Sequence, residues 1–340
     1  MTTKVTVANR SKVITKSTFN GYDACINPYV GCQFGCSYCY VRFFVKDDTK
    51  EWGEFLRTRN HIATALPREL DKGWVRMPDK RIPRYDEESG LPMFDKNGKQ
   101  LTRQAYKTMH ISDIRLVLGT MTDPYQPHER KAKLTRTVLE ILTAQDNPKF
   151  RKVGIFTRSP LVTHDIDLIK QLPQARVHFT ITPFPRSIMR AIEPISPMSE
   201  RRWDTVRKLK AAGIRTHVNV SPIMPGMSEP MIEEWTRLLA EIGVDEYFVD
   251  PMQSYADSFE AFRRACQNST DVNWPQVEAI MTDKKRYLEW KTDFFTRWDA
   301  ARRKHQHLVP NQLPIWSDHE NRTWIDMRTN TPMDRRNYGD

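Results

Sequence analysis

No run in the 340-residue sequence approaches the roughly 18 apolar residues of a membrane span, and its start, MTTKVTVANRSKVITK, lacks the apolar middle of a signal peptide. Both absences point to a cytoplasmic chain with no membrane partner. Cysteine is scarce and odd in number, five in all. In a reducing compartment that is not a disulfide framework, so clustered thiols bind metal or do redox chemistry instead. Solenoid repeats are absent too. What remains, 39% apolar residues, 10% aromatics and nine Trp, describes a folded globular chain with a substantial core.

Charge is unevenly spread. The formal net charge is +11, and residues 1–110 hold 19 Lys and Arg against 12 Asp and Glu, while residues 251–340 hold 14 against 13. A basic surface on the N-terminal third favours an anionic partner, nucleic acid being the commonest; a well-solvated basic enzyme is the plainer reading.

From residue 111 onward, apolar runs rich in β-branched residues alternate with amphipathic helical patterns. IRLVLGT, KVGIFTR, ARVHFTIT, IRTHVNVSPI and EYFVDPM read as strands, each but the last followed by a helix. Ser199 and Ser228 are N-cap candidates, and Gly213 and Gly243 end their helices. A further strand and helix upstream, around INPYV and NHIATALPREL, make about six βα units. The expected fold is therefore α/β, a partial (β/α)6 TIM-like barrel over residues 1–250, with chemistry at the C-terminal strand ends. Residues 80–110 interrupt the series as a hairpin insertion, with Asn97-Gly98 in its turn. Residues 251–340 form a mostly helical extension, in which Tyr287, Trp290, Phe294, Trp298 and Ala301 make one apolar stripe suited to docking on the barrel.

The segment NPYVGCQFGCSYCY places Cys32, Cys36 and Cys39 in a loop after the first strand. A structural zinc site wants four ligands, usually as two separated knuckles, and there is no second knuckle here; Cys25 or Cys266 would have to complete the set. A Cys36/Cys39 redox pair leaves Cys32 unexplained. A [4Fe-4S] cluster fits three thiolates, because one iron is left with an open position. The amine and carboxylate of S-adenosylmethionine can fill it, and reductive cleavage there yields a 5'-deoxyadenosyl radical.

C-x3-C-x-aromatic-C, with Tyr38 as the aromatic, resembles the signature of the radical S-adenosylmethionine superfamily. LGTMTDPYQPHERKAKLTRTVLEIL, FTRSPLVTHDIDLIKQL, IEPISP and AAGIRTHVNVSPIMPG further resemble its spore photoproduct lyase-like branch, over residues 20–250. The resemblance implies Cys32, Cys36 and Cys39 as cluster ligands. Thr122 and Arg158 would hold the methionine end of the cofactor, Arg158 standing where the family usually has lysine, and Asp123 would read the ribose. Ser159, Thr180, Thr182, Ser221 and Tyr38 become further cofactor contacts. Tyr38 and Tyr40 match tyrosines linked to hydrogen transfer. The lyase's hydrogen-donating cysteine is missing, Thr120 or Met121 standing near its place, which counts against dimer repair by the lyase's route and leaves open the rearrangement of a modified thymine with hydrogen returned from 5'-deoxyadenosine.

The implied partners are DNA and an electron donor such as flavodoxin or ferredoxin, around a monomer. Lys46, Lys50, Arg57, Arg59, Lys96, Lys99 and Arg103 are candidate phosphate contacts. Action on a peptide or small metabolite, and a non-catalytic nucleic-acid-binding protein with an iron-sulfur or zinc site, are the alternatives.

Overall fold

The computed structural model describes residues 3–8, 11–86, 91–252, 258–318 and 323–333. The chain opens with β1 (Lys4–Val7), β2 (Thr15–Lys16), β3 (Ala24–Ile26), β4 (Tyr29–Val30) and β5 (Phe55–Thr58), then α1 (Ile62–Leu70) and the hairpin strands β6 (Trp74–Pro83) and β7 (Thr102–His110). Next come β8 (Arg115–Leu118), α2 (Glu129–Ala132), α3 (Leu134–Thr143), β9 (Lys152–Thr157), α4 (Ile166–Ile169), β10 (Arg176–Ile181), α5 (Arg186–Ile192) and α6 (Ser199–Ala211). β11 (Arg215–Ile223), α7 (Ile232–Glu241) and β12 (Glu246–Pro251) complete the alternation. α8 (Ser258–Cys266), α9 (Trp274–Met281), α10 (Lys284–Arg303), β13 (Leu313–Asp318), β14 (Thr323–Asp326) and β15 (Thr331–Met333) follow.

Ten strands form one sheet, in the order β15-β14-β13-β12-β11-β10-β9-β8-β3-β2. From β3 to β12 the neighbours are parallel, which supplies the six βα strands of an open, partial barrel with helices on its outer face. β13 then adds a seventh parallel strand against β12, and β14 and β15 pair antiparallel beyond it. The extension is thus helical in α8–α10 but also prolongs the barrel sheet, through a segment whose irregular sequence hides its strands.

The first barrel strand is Ala24–Ile26 rather than INPYV. Pro28 has no N–H to offer a ladder, and the chain leaves the sheet there; Tyr29–Val30 pairs with β5 in a separate three-stranded sheet with β1. The helix caps also differ from expectation. Met198 is the N-cap of α6; Ser228 holds the N-cap position of the 3-10 turn that leads into α7, but its hydroxyl accepts from the Met224 N–H at 2.9 Å rather than from that turn. Gly213 and Gly243 follow α6 and α7 as expected.

α3 buries Leu134, Val138, Leu139 and Leu142, one stripe at helical spacing. α10 does the same with Trp290, Phe294, Trp298 and Ala301, packing on α7. Trp298 is fully buried and its Nε1 donates to the Tyr247 hydroxyl at 3.3 Å, so this stripe holds the extension to the barrel and is closed to base stacking.

Candidate active site

The three cysteines follow β3 and β4 at the C-terminal face of the barrel, where two tight turns shape their loop. Gly31 has φ +89°, and a Cβ there would lie 2.7 Å from the Phe55 carbonyl; Gly119, ending β8, has φ +87° and would clash with Pro124 and the Phe156 carbonyl. The loop is tied down by the TDPYQPHE segment. Gln126 Oε1 accepts from the Gln33 N–H at 2.8 Å, and Gln33 Oε1 accepts from the His128 N–H at 2.7 Å. On its other side the Ser37 N–H donates to the carbonyl of Ile192 at the end of α5.

Cys32 and Cys36 are buried, Cys39 is half-buried, and all three are free thiols. They line one recess of about 180 Å³ with Thr122, Asp123 and Arg158. Burial pushes each thiol up, Cys36 to about 12 against the pull of the Arg158 guanidinium. Among the described residues no three His, Cys, Asp or Glu side chains are arranged to hold a single metal ion. The recess shares Cys39, Tyr40, Thr120, Met121, Arg158 and Thr180 with a larger cavity of about 780 Å³. The larger cavity lies at the ends of β8–β12 and is walled by Phe19, Tyr40, Phe44, Phe156, Phe248 and Met252, with Asn219, Ser221 and Asp250 as polar points. A second cavity, of about 370 Å³, sits at the opposite ends of β10 and β11, remote from the thiols.

The candidate residues divide by geometry. Arg158 stands at the junction of the two spaces. Its Nη1 reaches Cys36 Sγ at 3.1 Å, Tyr38 Oη at 2.6 Å and Glu193 Oε1 at 2.7 Å. Thr180 and Ser221 line the large cavity. Thr122 and Asp123 line the recess but are already engaged: Thr122 Oγ1 donates to the Gly31 carbonyl at 2.6 Å. The Asp123 carboxylate accepts from the Tyr125 N–H, the Thr157 hydroxyl and the Arg158 N–H at 2.7–2.9 Å. Burial nevertheless raises the Asp123 carboxyl above its ordinary range. Ser159 and Thr182 border neither cavity: the first accepts from the Leu161 N–H, the second donates to Glu193 at 2.6 Å.

The two tyrosines part company. Tyr38 lines the large cavity, but its hydroxyl donates to Glu193 and is boxed in by Arg158 and Thr182. Tyr40 is half-exposed, borders both spaces, and among the described residues its hydroxyl makes only a long 3.5 Å contact, to the Thr120 carbonyl. Of the candidate cations, Arg59 is buried and clamps the carbonyls of Asn27 and Lys12, and Arg57 pairs with Asp47 at 2.8 Å; Lys46 and Lys50 are exposed near the thiol loop. Lys96, Lys99 and Arg103 sit out on the hairpin.

Glu193 is the group that sequence reasoning passed over. It is 1% exposed and lies between Arg158 and the fully buried Arg202, while also accepting from Tyr38 and Thr182. Despite the cost of burial, the two guanidinium groups hold its carboxyl down at about 2. Its only trace in the sequence is the acid of IEPISP, nine residues before Arg202, which looks like an ordinary helix-surface charge. Below the large cavity, Phe156 stacks on buried His178, whose Nε2 lies 2.6 Å from the Tyr22 hydroxyl; His178 and His217 are both pushed below their ordinary range by burial.

Comparison with known proteins bears on the fold and on the middle of the chain. The Radical SAM superfamily model matches residues 98–239. An uncharacterized protein of Methanocaldococcus jannaschii is 27% identical over 300 residues, covering 85% of this chain and 92% of that protein. A Mycobacterium tuberculosis protein is 24% identical over 229 residues, 64% of this chain and 54% of that longer protein. Spore photoproduct lyase complexed with dinucleoside spore photoproduct superposes with a TM-score of 0.57 at 14% identity, covering 92% of this chain and 82% of that one. A lyase mutant with bound AdoMet and dinucleoside spore photoproduct gives 0.56, covering 91% and 80%. Residues 98–239 therefore match a Radical SAM superfamily domain, and the chain shares the fold of spore photoproduct lyase.

Proposed function

We propose that this chain is a radical S-adenosylmethionine enzyme of the lyase or isomerase type. In this reading Cys32, Cys36 and Cys39 hold a [4Fe-4S] cluster, and the substrate is a thymine-derived base in DNA. The observation that carries the reading is the continuity of a three-thiol recess with a large aromatic-walled cavity, along a shared wall that includes Cys39, Tyr40 and Arg158. The donor set fits: three unpaired thiols share one space larger than an ion requires, and no disulfide consumes them. Bound there, cluster and S-adenosylmethionine would supply a carbon radical able to abstract hydrogen from a neighbouring C–H bond.

The chain's own residues do the rest. Arg158 uses Nη1 on protein partners, while its remaining guanidinium nitrogens have none among the described residues and are available to a carboxylate. The apolar walls exclude water from a reactive intermediate, and Phe19, Phe156 and Phe248 offer flat faces to a flipped-out base. Tyr40 carries a phenolic O–H on the wall common to both spaces, more readily a hydrogen-atom donor than the alcohols of Thr120 and Thr180 beside it, and serves as the hydrogen relay that a missing cysteine would otherwise provide. The bound dinucleoside lesion in the structural neighbour supports a nucleic-acid substrate.

The test is to incubate anaerobically reconstituted enzyme, dithionite and S-adenosylmethionine with deuterium-labelled DNA carrying normal, modified or photodamaged thymine. Mass spectrometry should find deuterium in 5'-deoxyadenosine. Formation of unlabelled 5'-deoxyadenosine with every nucleic acid, alongside label transfer from a peptide or small metabolite, would overturn the choice of substrate. Protein that forms no 5'-deoxyadenosine at all would overturn the radical chemistry.

A further inference from the structure

The hairpin between α1 and β8 is a two-stranded ribbon paired only with itself, and its two faces differ. Val75 and Met77 point inward and join the main core. Their alternates point away from it. Cross-strand register puts Trp74, Arg76 and Pro78 on the same face as His110, Thr108 and Tyr106, and beyond a bulge continues it with Arg81 opposite Gln104. Trp74 is 47% and Tyr106 53% exposed, and the whole face is open to solvent apart from half-buried Gln104.

That face is built rather than merely solvated. The Arg76 guanidinium stacks 4.2 Å over the Tyr106 ring, and Arg81 is pinned by its Nε to Thr102 Oγ1 at 2.8 Å and by Nη2 to the Thr102 carbonyl at 2.9 Å. Stacked, weakly hydrated and pre-oriented guanidinium groups lose little entropy on gripping phosphate. The described residues of this face include no carboxylate; Asp79 lies in the bulge, and Asp95 is turned inward to cap the turn at Asn97 and Lys99. β6 passes beside Lys12, whose Nζ donates to the Arg76 carbonyl. The Lys12 carbonyl is in turn held by Arg59, which also grips Asn27 next to the thiol loop. These contacts tie the start of the ribbon to the segment that leads into the thiol loop. Ten residues at about 3.3 Å each give the ribbon roughly 30 Å, close to one duplex turn.

We propose that this outward face, from Trp74 through the Arg76–Tyr106 stack to Arg81, docks the sugar-phosphate backbone of the DNA whose base enters the cavity. The proposal rests on the nucleic-acid reading above and adds to it a surface outside the reaction chamber. The partner is identified by charge complementarity, a cationic and aromatic face whose paired, described residues carry no carboxylate, in the third of the chain that carries most of the positive surplus.

The experiment measures binding of a short fluorescein-labelled DNA duplex by anisotropy across a salt series, using reconstituted full-length enzyme. Replacing Arg76→Gln and Arg81→Gln together should weaken binding about tenfold at low salt and lower the slope of log K against log salt by about two. Iron content and substrate-free formation of 5'-deoxyadenosine should be unchanged. Tyr106→Ala should weaken binding without altering the slope. An unchanged slope and affinity in the double variant overturns the proposal, and so does loss of binding to polyglutamate with DNA binding intact, which would assign the face to an acidic protein. Ribbon-dependent DNA binding without deuterium transfer from any DNA would leave the docking surface standing and bring down the assigned reaction. Transfer that survives with ribbon-independent binding would do the reverse.

Discussion

Glu193→Gln removes the one negative charge from a buried trio and leaves Arg158 and Arg202 facing each other at the edge of the thiol loop. Two routes give the size of the effect. Breaking a buried ion pair by neutralising one partner costs about 3–5 kcal/mol. Independently, the carboxyl falls from an ordinary value of 4.5 to about 2 on folding, which by linkage is about 3 kcal/mol of stability at neutral pH. Because the folded value is the lower one, this stability is complete above about 4.5 and disappears as pH falls toward about 2. The variant should therefore unfold in urea with about 3 kcal/mol less stability at pH 7. At roughly 2 °C per kcal/mol its thermal midpoint should drop by about 6 °C. Between about pH 4.5 and 2.5 its stability should lose one proton's worth of slope; the similarly depressed Glu246 keeps its own contribution in both proteins. S-adenosylmethionine affinity, read by equilibrium dialysis, should weaken as well, since Arg158 loses the anchor that aims it. An unfolding free energy within 1 kcal/mol of the parent, together with an unchanged acid slope, would refute the idea that Glu193 organises this corner.

Three further outcomes can be checked. Alanine at Cys32, Cys36 or Cys39 should each abolish iron retention after anaerobic reconstitution, whereas Cys25→Ala and Cys266→Ala, at thiols lining neither the recess nor the large cavity, should keep both iron and the brown absorbance. Tyr40→Phe should still cleave S-adenosylmethionine but lose product formation, visible as 5'-deoxyadenosine accumulating without product. Trp298→Ala, at a fully buried ring stacked on Phe294, should cost about 3–5 kcal/mol in urea unfolding and leave cluster content intact.

The thiol loop, the alternating strands and the docked aromatic helix were legible from the chain because each is a local pattern: cysteine spacing, continuous apolar runs, and an i, i+4 stripe. Residues 313–333 were not, since a strand that joins the edge of an existing sheet needs little pattern of its own once β12 offers unpaired backbone groups. Pro28 ended the first strand earlier than its apolar neighbours suggested, because a missing N–H outweighs side-chain propensity.

At the site the division is similar. Spacing alone marked the three cysteines, and the family resemblance marked Arg158 and Tyr40. Only the folded chain separated Tyr40, open to both cavities, from Tyr38, whose hydroxyl is committed to Glu193. Only it brought Arg202 from the first turn of α6 onto a carboxylate that also holds Arg158. The physical reason is that spacing along the chain encodes contacts within one loop or helix, whereas the charge a buried group feels depends on which distant elements pack around it.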